Sequence, residues 1–196
     1  MPACGVVLRL KGCRWWWYAV AAGLLVAQWA APLALSRGPF LGVAWIWPVL
    51  IWSAMGAREA RHDTHELILS AANNLSRQLP ACWLAGVAVA AVTGGGAAVR
   101  LLLAGQFSGM LAWSAGALFV PALALALGVW SGTSKVFEAL YTTLWYIGPL
   151  NGVPGFDFTG GASGALTVRY ALVHLALSGA LLLGALLGRR RQLRTA

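Results

Sequence analysis

Residues 110–130 read MLAWSAGALFVPALALALGVW, 21 positions without one charged side chain. A helix that crosses the hydrocarbon core of a bilayer needs roughly 20 apolar residues. The run is too long for a core strand, and it lacks the strict alternation of a barrel strand. Backbone polar groups in lipid must be satisfied within the segment, so the run predicts a membrane helix.

Outward from it, four further apolar blocks of similar length cover residues 15–35, 39–55, 81–99 and 170–187. A shorter sixth block, 136–150, carries Glu138 near its start. The chain as a whole is 60% hydrophobic and 10% charged, too little charge to coat a soluble domain of 196 residues. The expected fold class is therefore all-α: a polytopic integral membrane protein of about six transmembrane helices, forming a single domain over 1–196.

The net charge of +9 raises the question of nucleic acid, and the positions of the charges answer it. With six helices and a cytoplasmic start, 11 of the 14 basic residues fall on inner segments. These are Arg9, Lys11, Arg14, Arg58, Arg61, Arg77, Lys135, Arg189, Arg190, Arg191 and Arg194. Only Arg37, Arg100 and Arg169 fall outside, which fits the positive-inside rule with both termini in the cytoplasm. Basic residues so placed meet anionic headgroups, and no nucleic-acid partner is expected. Trp15, Trp16, Trp17 and Trp130, among eleven tryptophans, lie near block ends where indole rings favour the interface. Cys4, Cys13 and Cys82 form no outer pair and read as small apolar fillers. The basic start followed by an apolar block resembles a signal peptide, but that block exceeds a usual signal core, which favours an uncleaved helix.

Between the second and third blocks lies the one sizeable polar stretch, with Arg58, Glu59, Arg61, His62, Asp63, His65, Glu66, Arg77 and Gln78. Leu67, Ile68, Ala71 and Leu75 recur in it at near-helical spacing. It predicts an amphipathic cytoplasmic helix over about 58–78, closed off by Pro80. Ser36-Arg37-Gly38-Pro39 predicts a tight outer turn, Pro48 a kink, and Gly94-Gly95-Gly96 a loosened helix end. Residues 151–161, NGVPGFDFTGG, mix turn formers with Val153, Phe156 and Phe158, as a loop dipping into the outer leaflet would.

In the sixth block Glu138, Tyr141, Thr142 and Trp145 follow i, i+3, i+4, i+7 spacing and fall on one helix face. An acid in a membrane helix faces the bundle interior or a wet cavity. The competing reading pairs Glu138 with Lys135 at i, i+3, or leaves it among headgroups.

His62-Asp63-Thr64-His65-Glu66 is the densest cluster of metal-capable side chains, but the second histidine of His-Glu-x-x-His is missing. A solvated helix face is the expectation there, with no metal and no cofactor. His174 reads as a hydrogen-bonded structural residue. No phosphate-binding loop and no nucleophile elbow occurs, so the chain is not expected to be an enzyme. Gly105…Gly109 and Gly184…Gly188 are G-x-x-x-G pairs, which permit close helix contact, as in a dimer, and which arise readily by chance among 24 glycines.

Three stretches carry a family resemblance: Trp52-Ser53-Ala54-Met55-Gly56-Ala57-Arg58-Glu59, then Leu69-Ser70-Ala71 through Arg77-Gln78-Leu79-Pro80, then Ser134-Lys135-Val136-Phe137-Glu138 through Gly148-Pro149-Leu150-Asn151. With the order of parts, they resemble the membrane subunit of type-2 ABC transporters, the exporter permeases that pair with a separate ATPase. The N-terminal segment, residues 3–14, is shorter than the amphipathic helix usual in that family. The resemblance implies an exporter permease of the bacterial inner membrane whose ATP is hydrolysed by a soluble partner, with a second permease, identical or related, completing it. It implies ATPase coupling through Arg58, Glu59, Arg61, His62, Asp63, Glu66 and Arg77, and a substrate pathway along Glu138, Tyr141, Thr142 and Trp145. The rival readings are a polytopic membrane enzyme using His62, His65 and Glu66, and a scaffold without transport.

Overall fold

A computed structural model describes residues 16–56, 74–161 and 166–195. The expected amphipathic helix, and with it Arg58, Glu59, Arg61, His62, Asp63, His65 and Glu66, falls outside the described residues except for its last positions. Among the described residues every regular element is helical. In chain order they are α1 (Trp16–Ala30), α2 (Leu33–Leu35), a π turn (Ser36–Phe40), α3 (Leu41–Ile46), α4 (Val49–Ser53), α5 (Asn74–Leu103), α6 (Phe107–Ser131), α7 (Lys135–Trp145), a second π turn (Tyr146–Leu150) and α8 (Leu166–Thr195).

Among the described residues three stretches are long and apolar enough to cross a membrane: Gln78–Leu103, Phe107–Ser131 and Thr167–Gln192. At 1.5 Å per residue each reaches nearly 40 Å, beyond the roughly 30 Å hydrocarbon core. Trp17–Ala30 and Gly38–Ser53 are apolar but shorter. α6 is the central helix, with 72% of its span buried against 39% and 28% for the other two. Its neighbours approach closely because small residues line the contacts. A Cβ on Gly86 of α5 would come within 2.7 Å of Pro121, and one on Gly188 of α8 within 2.8 Å of Val129. Gly188 and Gly109 thus serve packing within the chain, Gly109 against Leu101. The other member of each G-x-x-x-G pair, Gly105 and Gly184, has nothing within 4 Å of a Cβ.

The contacts sort the chain into two ends. At one, Gly56 packs on Leu125, Gly128 and Val129, Trp130 Nε1 donates to Gly184 O (2.9 Å), and Gln192 Nε2 donates to Val129 O (3.0 Å). This end holds Lys135 and Arg189–Arg191. At the other end Gln28, fully buried, bridges one turn of α5 with its side-chain amide: Nε2 donates to Thr93 O (2.8 Å) and Oε1 accepts from Ala97 N (2.8 Å). Arg100 Nη1 donates to the carbonyls of Gln28 and Ala31 (2.6 Å to Ala31), closing the C-terminus of α1.

Pro48 interrupts its helix between α3 and α4, the kink that its missing donor predicts. Three expectations are corrected. The turn expected at Ser36-Arg37-Gly38-Pro39 falls at Ala31-Pro32, and those four residues lie inside helix, where a π turn accommodates Pro39 and its missing donor. Pro80 lies within α5, so residues 74–78 belong to that long helix rather than to a separate surface one. Gly94-Gly95-Gly96 does not loosen α5. Gly94 lets Trp113 approach (Nε1 3.0 Å from a Cβ there) and Gly96 admits Gln28 (Oε1 2.9 Å), so the helix runs on to Leu103.

Candidate functional site

The site is where residues 151–161 return into the bundle. The second π turn ends α7 at Gly148-Pro149, and Gly152 N donates back to Gly148 O (2.7 Å). Val153, Pro154 and Phe156 stay exposed, whereas Asp157, Phe158, Thr159 and Gly160 are buried. Non-helical backbone can be buried only if its polar groups find partners. Here two of the loop's amides are met by its own side chains. Asp157 Oδ1 accepts from Thr159 N (2.9 Å) and from Thr159 Oγ1 (2.6 Å), and Gly161 N donates to Thr159 Oγ1 (3.3 Å).

Three glycines make the niche. A Cβ on Gly116 of α6 would overlap Phe158 O, and one on Gly148 would overlap Phe156 O. Gly160 adopts φ +81°, open to glycine at no steric cost, and presses on Gly109 O and Trp113. The glycines thereby replace side-chain contacts with backbone-to-backbone approach.

Phe158 is the wedge. Its ring lies 5.6 Å from Trp45, 5.8 Å from Tyr141, 6.2 Å from Phe119 and 6.4 Å from His174, measured between centroids. One side chain therefore touches α3, α6, α7 and α8. Tyr141 is fully buried, stacks on Phe137 at 5.2 Å, and donates its hydroxyl to Trp45 O (2.7 Å). Trp145 Nε1 donates to Gly42 O (2.9 Å), fixing α7 to α3 a second time. His174 Nδ1 bonds Tyr170 O (2.8 Å), and its ring packs 5.2 Å from Phe119.

Of the four proposed pathway residues, the structure brings only Tyr141 and Trp145 inward. Thr142 sits on the exposed face with Oγ1 donating to Glu138 O (2.7 Å). Glu138 is drawn to Lys135 Nζ at 2.9 Å, at the basic end and away from Phe158. The shared face is thus divided: Phe137, Tyr141 and Gly148 point in, and Thr142 does not. Arg77 lies in the first turns of α5, its side chain outside the described residues. Among the described residues no three His, Cys, Asp or Glu side chains cluster as a metal site.

Asp157 and Thr159 are candidate-site residues not expected from the sequence, although Asp-x-Thr before Gly-Gly is a turn signature. Trp130, expected at an interface, is 55% exposed, while Trp45 and Trp52, for which the sequence suggests no place, are buried in the core. Trp52 and Trp83 donate to Gly86 O and Leu118 O (both 3.1 Å), so indoles fasten helix to helix. No protein-family model, curated protein or solved structure matches the chain.

Proposed function

We propose that the chain is the permease subunit of a type-2 ABC export system. It crosses the bacterial cytoplasmic membrane six times with both termini inside, and a separate soluble ATPase drives it. The observation that carries this reading is the buried segment 157–160. Such a re-entrant element before the last helix, wedged among four others, makes their relative positions interdependent. Movement of α7 against α8 cannot occur without displacing Phe158, so the junction is suited to a mechanical role.

A second observation supports the coupling route. The polar segment 57–73 is flanked by Gly56, seated on the backbone of Leu125, Gly128 and Val129, and by the start of α5. Force applied to that segment by a docked ATPase would reach α6 directly on one side and α5 on the other. In this reading Tyr141 and Trp145 hold α7 at the pathway wall, while Glu138 and Lys135 form its cytoplasmic rim.

Affinity purification of the chain from its native membrane tests the reading. A soluble ATPase is expected to co-purify, and charge reversal by Arg61→Glu and Glu66→Arg is expected to reduce its recovery with membrane insertion intact. Recovery unchanged after both reversals removes the docking segment. Stable partners without ATP hydrolysis contradict the exporter itself.

A further inference from the structure

The basic end has a feature that permease mechanics does not use. The end of α6 lies against Gly184 and Gly188 of α8, with Trp130 Nε1 donating to Gly184 O, and α8 runs on past it, Gln192 Nε2 reaching back to Val129 O. Both helices are among the three described ones long and apolar enough to cross a membrane, so in a bilayer the end of α6 would lie near its surface. Trp130 is 55% exposed there, although its ring is held on one side by Gly188 and Arg191 lies 5.6 Å from its centroid. Arg190 is exposed beside it. On the membrane side, Leu183 and Leu187 are 63% and 57% exposed. Lys135, at the same end of the bundle, pairs with Glu138 of its own helix (2.9 Å).

We infer that this corner is a binding site for an anionic glycerophospholipid, its phosphate held by Arg190 and Arg191 and its acyl chains lying along Leu187 and Leu183. The arrangement is two-part, as such a ligand is. Cations sit at the headgroup level, an amphipathic indole marks the boundary, and an apolar strip descends one and two turns below. A free anion would need only the first part, and a neutral lipid only the last two. The indole also orders the site: its bond to Gly184 and its contact with Arg191 restrict where that guanidinium points. The inference does not rest on the export reading, since it uses only the two spans and their ends.

The test uses delipidated full-length protein in neutral detergent, titrated with phosphatidylglycerol while Tm is followed. Phosphatidylglycerol is expected to raise Tm, with phosphatidylcholine and inorganic phosphate giving no comparable rise. Arg190→Gln with Arg191→Gln is expected to shift the half-saturating phosphatidylglycerol concentration upward about thirtyfold, from two lost cation contacts near headgroups. Arg169→Gln, an exposed cation at the opposite end, is expected to leave it unchanged. Because the midpoint is compared and not the absolute Tm, lower stability of the double variant does not imitate the result. An equal shift from Arg169→Gln, no shift from the double variant, or a Tm rise of the same size with inorganic phosphate overturns the site.

Discussion

Gly116→Ala is expected to expel residues 157–160 from the bundle and to destabilise the protein by about 3 kcal/mol, the upper end of the usual range for overpacked sites. The reason lies in what the added methyl would meet. It overlaps Phe158 O, a backbone atom whose retreat pulls Phe158 from between Trp45, Tyr141, Phe119 and His174. A flexible side chain could give way cheaply, whereas this loop is tied by the Asp157–Thr159 bonds and by the Gly148 niche behind it. Alanine's better helix propensity recovers at most about 1 kcal/mol. Gly95→Ala is the control, since nothing lies within 4 Å of a Cβ there and the same propensity gain goes unopposed. Thermal unfolding in detergent, with amide exchange across 155–161, reads both effects. Exchange in that peptide is expected to rise in Gly116→Ala alone. Wild-type stability and unchanged exchange would remove the niche.

The second large effect is expected at Tyr141. Truncation to alanine leaves a cavity among Phe137, Trp52 and Phe158 and should cost about 3–5 kcal/mol, as for other buried aromatics. Tyr141→Phe keeps the ring and loses only the hydroxyl bond to Trp45 O, about 1 kcal/mol. Leu140→Ala, one position away and 40% exposed, should cost far less than Tyr141→Ala. On the proposed function, export should follow the same order. Equal losses at 140 and 141 would mean that α7 does not pack as described.

The parts of this fold that could be read from sequence are those written in composition. An uncharged run as long as 110–130 has few alternatives to a membrane helix, and the mixture of turn formers and aromatics in 151–161 marks a loop unlike a solvated linker. What could not be read is which way each helix faces. In a soluble helix the polar face is the outer one, but a lipid-facing helix is apolar all round, so the 3.6-residue period loses its meaning. The i, i+3, i+4, i+7 spacing groups Thr142 with Tyr141 on a face that can meet the bundle or a dimer seam, and spacing alone does not choose between them. Thr142 instead satisfies its hydroxyl on its own helix at Glu138 O and remains outside. Glu138 likewise took the local partner at i−3.

Glycines were the other gap. Gly94-Gly95-Gly96 looks like a helix breaker until Trp113 and Gln28 are placed against it. Gly116 and Gly148 carry no signal at all until the loop that fills them is known. Gln28 is similar: one amide in an apolar block, whose role appears only with the turn of α5 that it bridges.

The most direct measurement of the whole account is the sidedness of the two ends of the bundle. With Cys4, Cys13 and Cys82 replaced by Ser, single cysteines are introduced at Asn151→Cys and Arg190→Cys, both exposed positions. A membrane-impermeant thiol reagent applied to intact cells is predicted to modify the first and to reach the second only after permeabilisation. Modification at position 190 in intact cells, or protection at position 151, would contradict a basic end in the cytoplasm and, with it, the proposed exporter.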